Sequence, residues 1–137
     1  VFMGVFDKYE AVVEKYPTLK EQSVFAGFIK DVLAVNELCD IYINPKRNGG
    51  GTSVIEAMVK GLPPVALNEG DVSLGAGEDF CLQDYSEMVQ RALILKDDEE
   101  YYRAMSQKAR ERAAVMLDGA SAFWETFQRI EKLSDFQ

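Results

Sequence analysis

Eight consecutive residues, Lys46, Arg47, Asn48, Gly49, Gly50, Gly51, Thr52 and Ser53, have the types needed to hold an anion. Glycine leaves no Cβ between its backbone amide and a ligand, and it enters left-handed conformations without strain. Thr52 and Ser53 add hydroxyl donors, and Lys46 and Arg47 add positive charge at the mouth. An apolar run, "IYIN" (41–44), leads in, and "SVIEAMVKG" (53–61), with helical spacing, leads out. A helix starting there would aim its unpaired N–H groups and positive dipole end at the same point. The chemistry implied is binding of a phosphate or pyrophosphate. The same residues also suit a tight strand-to-helix turn. Ser53 with Glu56 fits S-x-x-E, a capping box in which each side chain satisfies the other's backbone N–H. Neither G-x-G-x-x-G nor G-x-x-x-x-G-K-[ST] is present, so the dinucleotide and Walker-type loops are not matched. On the residues alone, cradle and turn both stand.

What the chain lacks narrows the chemistry further. It has no histidine. That excludes Ser-His-Asp and Cys-His catalysis, histidine-based zinc sites and histidine general bases within these 137 residues. Cys39 and Cys81 match no zinc or redox spacing, and their apolar surroundings predict buried free thiols, as in a reducing cytosol. Fifteen Lys plus Arg against 23 Asp plus Glu give a net charge of −8, which argues against a nucleic-acid surface. It leaves room for a small anion, which a few local donors can hold. No metal motif is seen, and no cofactor is expected. No run approaches the roughly 18 apolar residues of a membrane span, and no signal peptide is evident. Membrane association is not indicated, and a cytoplasmic protein is expected.

The elements that must position these residues can be read from periodicity. Short apolar runs predict strands at 1–6, 23–28, 41–44 and 63–68, the last with its prolines at the start, where a ladder donor is least needed. Helical spacing covers 7–17, stopped by Pro17, and then 30–40 and 53–61, the last ended by Gly61 as a left-handed C-terminal glycine. Residues 69–80 read as a loop. Helices follow at 84–96, opened by Asp84 or Ser86, at 97–117 and at 119–133. Hydrophobic residues form 47% of a chain of single-domain length, enough for a core without disulfide or metal. Strands alternating with helices predict an α/β fold, a Rossmann-like parallel sheet flanked by helices, with an all-helical C-terminal segment. Ligands in such sheets bind beyond the carboxyl ends of the strands, here at 4–8, 27–31, 44–53 and 68–79.

The remaining candidates each have two readings. Glu69 and Asp71 could line the cleft or make a turn. Gly75 and Gly77 could permit a mobile loop beside the site or a plain one. Asp40 reads as a helix-end or turn residue. Phe123, Trp124, Phe127 and Ile130 follow helical spacing and read as core or as contact with another domain.

"CDIYINPKRNGGGTSVIEAMVKGLPPVALNEGD" resembles the nucleotide-sugar-binding half of the two-domain (GT-B) glycosyltransferases, closest to the family 4 or group 1 type. The matching positions are Asp40, Pro45, Gly49, Gly51, Glu56, Ala57, Met58, Gly61, Pro63 and Val65. "VFMGVFD", "VFAGFIKD" and "ILKDDEEYYRAMSQKARERA" resemble further segments of that family, so the likeness spans nearly the whole chain. It implies a donor-binding domain, residues 1–137, of a larger glycosyltransferase that moves a sugar from a UDP- or GDP-sugar to a hydroxyl acceptor with retention, as in polysaccharide or protein glycosylation. The donor would be a substrate and no metal would be needed.

Residue by residue, the resemblance places the ribose hydroxyls on Glu56. It places the donor sugar and phosphates on Arg47, Asn48, Gly49, Gly50, Gly51, Thr52 and Ser53, and the base against Phe28 and Ile29. Asn48 stands where the family has the first glutamate of its E-x7-E motif, so a neutral amide would meet the donor sugar. The acceptor site, first strands and pyrophosphate-neutralising cations would lie in an N-terminal acceptor-binding domain and the segment joining it, leaving the isolated domain inactive. The "GGGTS" run is also similar to O-linked N-acetylglucosamine transferases. Two rivals remain in this reading: a nucleotide-sugar epimerase of the same fold, disfavoured by the missing histidines, and a non-catalytic binding or regulatory subunit, which Asn48 would suit.

Overall fold

A computed structural model describes residues 1–5, 7–46 and 49–134, the last five of these by backbone alone. The chain forms two compact units, Val1–Val32 and Leu33–Gln137.

In the first unit, strand β1 (Phe2–Met3) pairs in parallel with β2 (Phe25–Gly27). Helix α1 (Tyr9–Val13) is pinned to this pair by Tyr9, whose ring stacks on Phe25 at 4.7 Å and meets Phe2 at 5.5 Å. Its hydroxyl lies 2.9 Å from Ser23 Oγ. The expected helix 7–17 is thus shorter, and Pro17 does not merely stop it. Pro17 opens a second helix, α2 (Pro17–Gln22), at a first-turn position where its missing N–H costs nothing.

Helix α3 (Val32–Asn36) is half the expected length and leads into the second unit. That unit is built on a parallel sheet, β3 (Tyr42–Asn44), β4 (Pro64–Leu67) and β5 (Cys81–Leu82), in that spatial order. Tyr42, Ile43 and Asn44 align with Pro64, Val65 and Ala66, and Ala66 and Leu67 align with Cys81 and Leu82. The carboxyl ends of the three strands therefore share one edge. Every residue of β4 is buried, as its unbroken apolar run requires of a central parallel strand. The Rossmann-like α/β reading holds: parallel strands, crossover helices and an all-helical end.

Helix α4 (Gly51–Val59) connects β3 to β4. Its end is a Schellman motif around Gly61 (φ +82°), with Gly61 N–H donating to Met58 O and Leu62 N–H to Ala57 O. Helix α6 (Tyr85–Asp97) opens at Asp84, whose side chain accepts from Glu87 N–H while Glu87 accepts from Gln83 N–H. Asp98 caps α7 (Glu99–Leu117) in the same way through Tyr101 N–H. Helix α7 turns Met105, Ala109 and Ala113 inward at four-residue spacing and packs on α4. Met58, Val54, Val65 and Phe80 are fully buried beside them, each contributing about 1.5–3 kcal/mol of transfer free energy.

Several expectations need correction. The "loop" 69–80 holds helix α5 (Gly70–Ala76) and a 3-10 turn (Glu78–Phe80), and it ends in β5. Gly75 lies buried inside α5 because a Cβ there would come within 2.8 Å of Val54 Cγ1 and 3.2 Å of Gly51 O. It is a contact glycine, not a hinge. Gly77 (φ +86°) ends α5, whose last carbonyls accept from Arg112: Gly75 O from Nε and Leu74 O from Nη2. Helix α8 (Gly119–Ser134) leaves Phe123, Trp124 and Phe127 exposed, packed on one another and not in the core. Both cysteines are free but half-buried, and burial pushes the Cys81 thiol up, against the pull of Arg112. Among the described residues no helix is long and apolar enough to cross a membrane.

Candidate functional site

The turn from β3 into α4 opens at the carboxyl edge of the three-stranded sheet. Each of its three glycines is glycine for a different reason. Gly49 has φ +79°, and a Cβ built on it would meet nothing within 4 Å, so it borders open space. Gly50, the residue that caps α4, has φ +101°. Two successive left-handed residues of any other type would be strained, roughly 1–2 kcal/mol each. Gly51 has ordinary helical geometry, but a Cβ would lie 3.2 Å from Asp71 O and 3.4 Å from Asp71 Cβ, where α5 crosses. The turn is therefore crowded at Gly51 and open at Gly49.

Helix α4 begins two residues earlier than expected, and this changes the role of Ser53. No side chain caps the helix, because its cap is Gly50. The Ser53–Glu56 capping box does not form. Ser53 Oγ donates instead to Gly50 O at 2.9 Å and lies 2.8 Å from Tyr42 Oη, so its hydroxyl is turned inward. The N–H groups of Gly51 and Thr52 lie in the first helical turn, without a partner among the described residues, and Thr52 is exposed. Glu56 stands one turn along, half-buried, with no hydrogen bond or ion pair among the described residues. Such a carboxylate offers an acceptor for two neighbouring hydroxyls at once.

The charge at the mouth is partly spent. Lys46 Nζ lies 3.1 Å from Glu69 Oε2, bridging the loops that follow β3 and β4. Exposed pairs of this kind are worth about 0–1 kcal/mol, so an arriving anion can compete for the lysine at small cost. Glu69 is also the residue before α5, and Asp71 belongs to that helix's first turn with its backbone against Gly51. Asp40 lies beside Tyr102, whose phenol is pushed up by burial first and by Asp40 second.

Arg47 and Asn48, both expected to meet the donor, lie outside the described residues. Phe28 and Ile29, expected to frame a base, follow β2 in the first unit, with Phe28 77% exposed and Ile29 half-buried. The structure gathers Gly49, Gly50, Gly51, Thr52 and Glu56 around one helix end, with Ser53 behind them. Tyr42 and Asn44, which the sequence reading passed over, stand on the strand side of the turn. Their signal was the alternation in "IYIN": residues two apart on a strand share a face, so Tyr42 and Asn44 point together and Ile43, 58% exposed, points away.

A family model described as glycosyl transferases group 1 matches residues 1–107, about three-quarters of the chain and all three glycines. This chain belongs to the group 1 glycosyltransferases. No curated protein and no solved structure matches it. Membership of the group 1 glycosyltransferases agrees with the parallel strands and flanking helices.

Proposed function

We propose that this chain is the donor-binding domain of a group 1 glycosyltransferase and holds a nucleotide-activated sugar, a UDP- or GDP-sugar, at the β3–α4 turn. The observation that carries the reading is the start of α4: a helix end without a side-chain cap, open space at Gly49 and, one turn along, a Glu56 carboxylate with no partner among the described residues. The Gly51 and Thr52 amides, together with the helix dipole, would meet the pyrophosphate. Glu56 would accept from the two ribose hydroxyls, and Lys46 and Arg47 would add charge. Asn48 would meet the donor sugar, and Phe28 and Ile29 would frame the base.

Transfer to a hydroxyl acceptor breaks the bond between the anomeric carbon and the phosphate oxygen, so negative charge develops on the leaving diphosphate. Fixed amides that strengthen their hold as that charge grows are the electrostatic assistance such a step needs. Retention of configuration, an acceptor-binding domain in the same protein and a cytoplasmic setting complete the proposal. The nucleotide sugar is the substrate, and the reading requires no further cofactor. Calorimetric titration with UDP and with GDP tests it. One of them should bind, and Glu56→Ala should weaken that binding about tenfold, the loss of one charge-assisted contact. Absence of binding by either at millimolar concentration would overturn the reading.

A further inference from the structure

We propose that Tyr42 is a positioning residue for the donor-binding turn, acting through a partly buried polar string; this rests on the nucleotide-sugar reading above. Asn44 Nδ2 donates to Tyr42 Oη at 2.8 Å, Tyr42 Oη lies 2.8 Å from Ser53 Oγ, and Ser53 Oγ donates to Gly50 O at 2.9 Å. Each hydroxyl has one hydrogen to give. Ser53 gives its own to Gly50, so the hydrogen between Tyr42 and Ser53 comes from Tyr42. The string therefore runs one way, from strand to helix cap.

Its ends bracket the glycine turn. Tyr42 and Asn44 stand on β3 before the turn, Gly50 caps α4 at its end, and Ser53 lies in the first turn of that helix. Gly50 O also accepts from Val54 N–H at 3.2 Å. The carbonyl of a residue with no side chain of its own is thus held from two directions. Fixing that peptide fixes where the next amides, Gly51 and Thr52, aim. A glycine turn without such a brace has many backbone states of similar energy. A ligand would have to select one of them, at a loss of affinity.

The string is a poor device for stability alone. Asn44 is 4% exposed, and its Oδ1 has no hydrogen-bond partner among the described residues. A leucine, with the same branching and number of heavy atoms, would occupy that place without burying an unsatisfied acceptor. Costs of this kind gather where local geometry serves a site and not the core. Here the geometry served is the cap of α4.

The test compares four forms of the full chain: wild type, Glu56→Ala, Tyr42→Phe, and the double substitution Tyr42→Phe with Asn44→Leu. Each is melted and titrated with UDP and GDP. Tyr42→Phe should lower Tm by roughly 5 °C, since it strands the Asn44 amide, and should weaken binding about tenfold. The double substitution removes both stranded groups, so Tm should return to within about 2 °C of wild type while binding stays about tenfold weak. Recovery of wild-type affinity together with Tm would overturn the proposal, because the string would then be structural only. Wild-type affinity in Tyr42→Phe would overturn it too. Should Tyr42→Phe fail to fold, the double substitution decides alone. A wild type that binds neither nucleotide, or a Glu56→Ala that binds as wild type, overturns the nucleotide-sugar reading itself, and the proposal with it.

Discussion

The two ends of helix α4 both rest on left-handed glycines, yet they are opposites. At the trailing end, Gly61 is enclosed: a Cβ would fall 2.2 Å from Arg110 Cζ, and Ser106 Oγ donates to Gly61 O at 2.7 Å. Arg110 completes the closure, donating through Nη2 to Lys60 O and through Nη1 to Ser106 Oγ. At the leading end, Gly49 faces open space and no side chain caps the helix. One end has the carbonyls of Ala57, Met58, Lys60 and Gly61 answered by protein, while the other leaves the Gly51 and Thr52 amides without a partner among the described residues. Backbone angle alone does not separate an open glycine from an enclosed one. What surrounds the missing Cβ does.

That contrast can be broken by substitution, and the largest effect belongs to the closed end. Gly61→Ala forces φ +82° on a residue with a Cβ and displaces the Arg110 guanidinium, at about 2–3 kcal/mol of stability. Chemical denaturation should show this loss while the folded variant binds nucleoside diphosphate as before. Gly49→Ala should cost about 1–2 kcal/mol from backbone strain alone, with no clash. Its nucleotide affinity should fall as well. An unchanged affinity would mean the space at Gly49 is not ligand space. Glu56→Gln should leave stability within about 0.5 kcal/mol. Titration should then register a weaker nucleotide by about 1–1.5 kcal/mol, since a neutral amide replaces a charged acceptor. Lys46→Ala, at an exposed ion pair with Glu69, should change stability by less than about 1 kcal/mol. Salt titration of nucleotide binding should show a shallower slope in that variant.

Much of the architecture was legible because it depends on local signals. The apolar run of β4, the stop at Gly61 and the caps at Asp84 and Asp98 are written in adjacent residues. The glycine turn was legible as a junction, but which glycine faces space and which is crowded depends on α5 crossing at Asp71. What was not legible depends on neighbours distant in sequence. Gly75 is small because Val54, twenty-one positions earlier, crosses it. A glycine in a short segment that holds three glycines, Gly70, Gly75 and Gly77, gives no local sign of that contact, so α5 read as a loop. Ser53 with Glu56 had the right spacing for a capping box, but spacing does not say where a helix starts. Gly50 took the cap and turned the serine inward. Tyr42 and Asn44 were hidden by the strand itself, because "IYIN" read only as the apolar run leading into the turn.

The placement of Trp124 has a spectroscopic consequence. It is the single tryptophan of the chain, 59% exposed on α8, with Phe123 and Phe127 as its aromatic neighbours. Intrinsic emission from this protein should therefore be red-shifted in the native state and change little when the core melts. A blue shift would report that something has covered α8, whether or not the nucleotide turn is occupied.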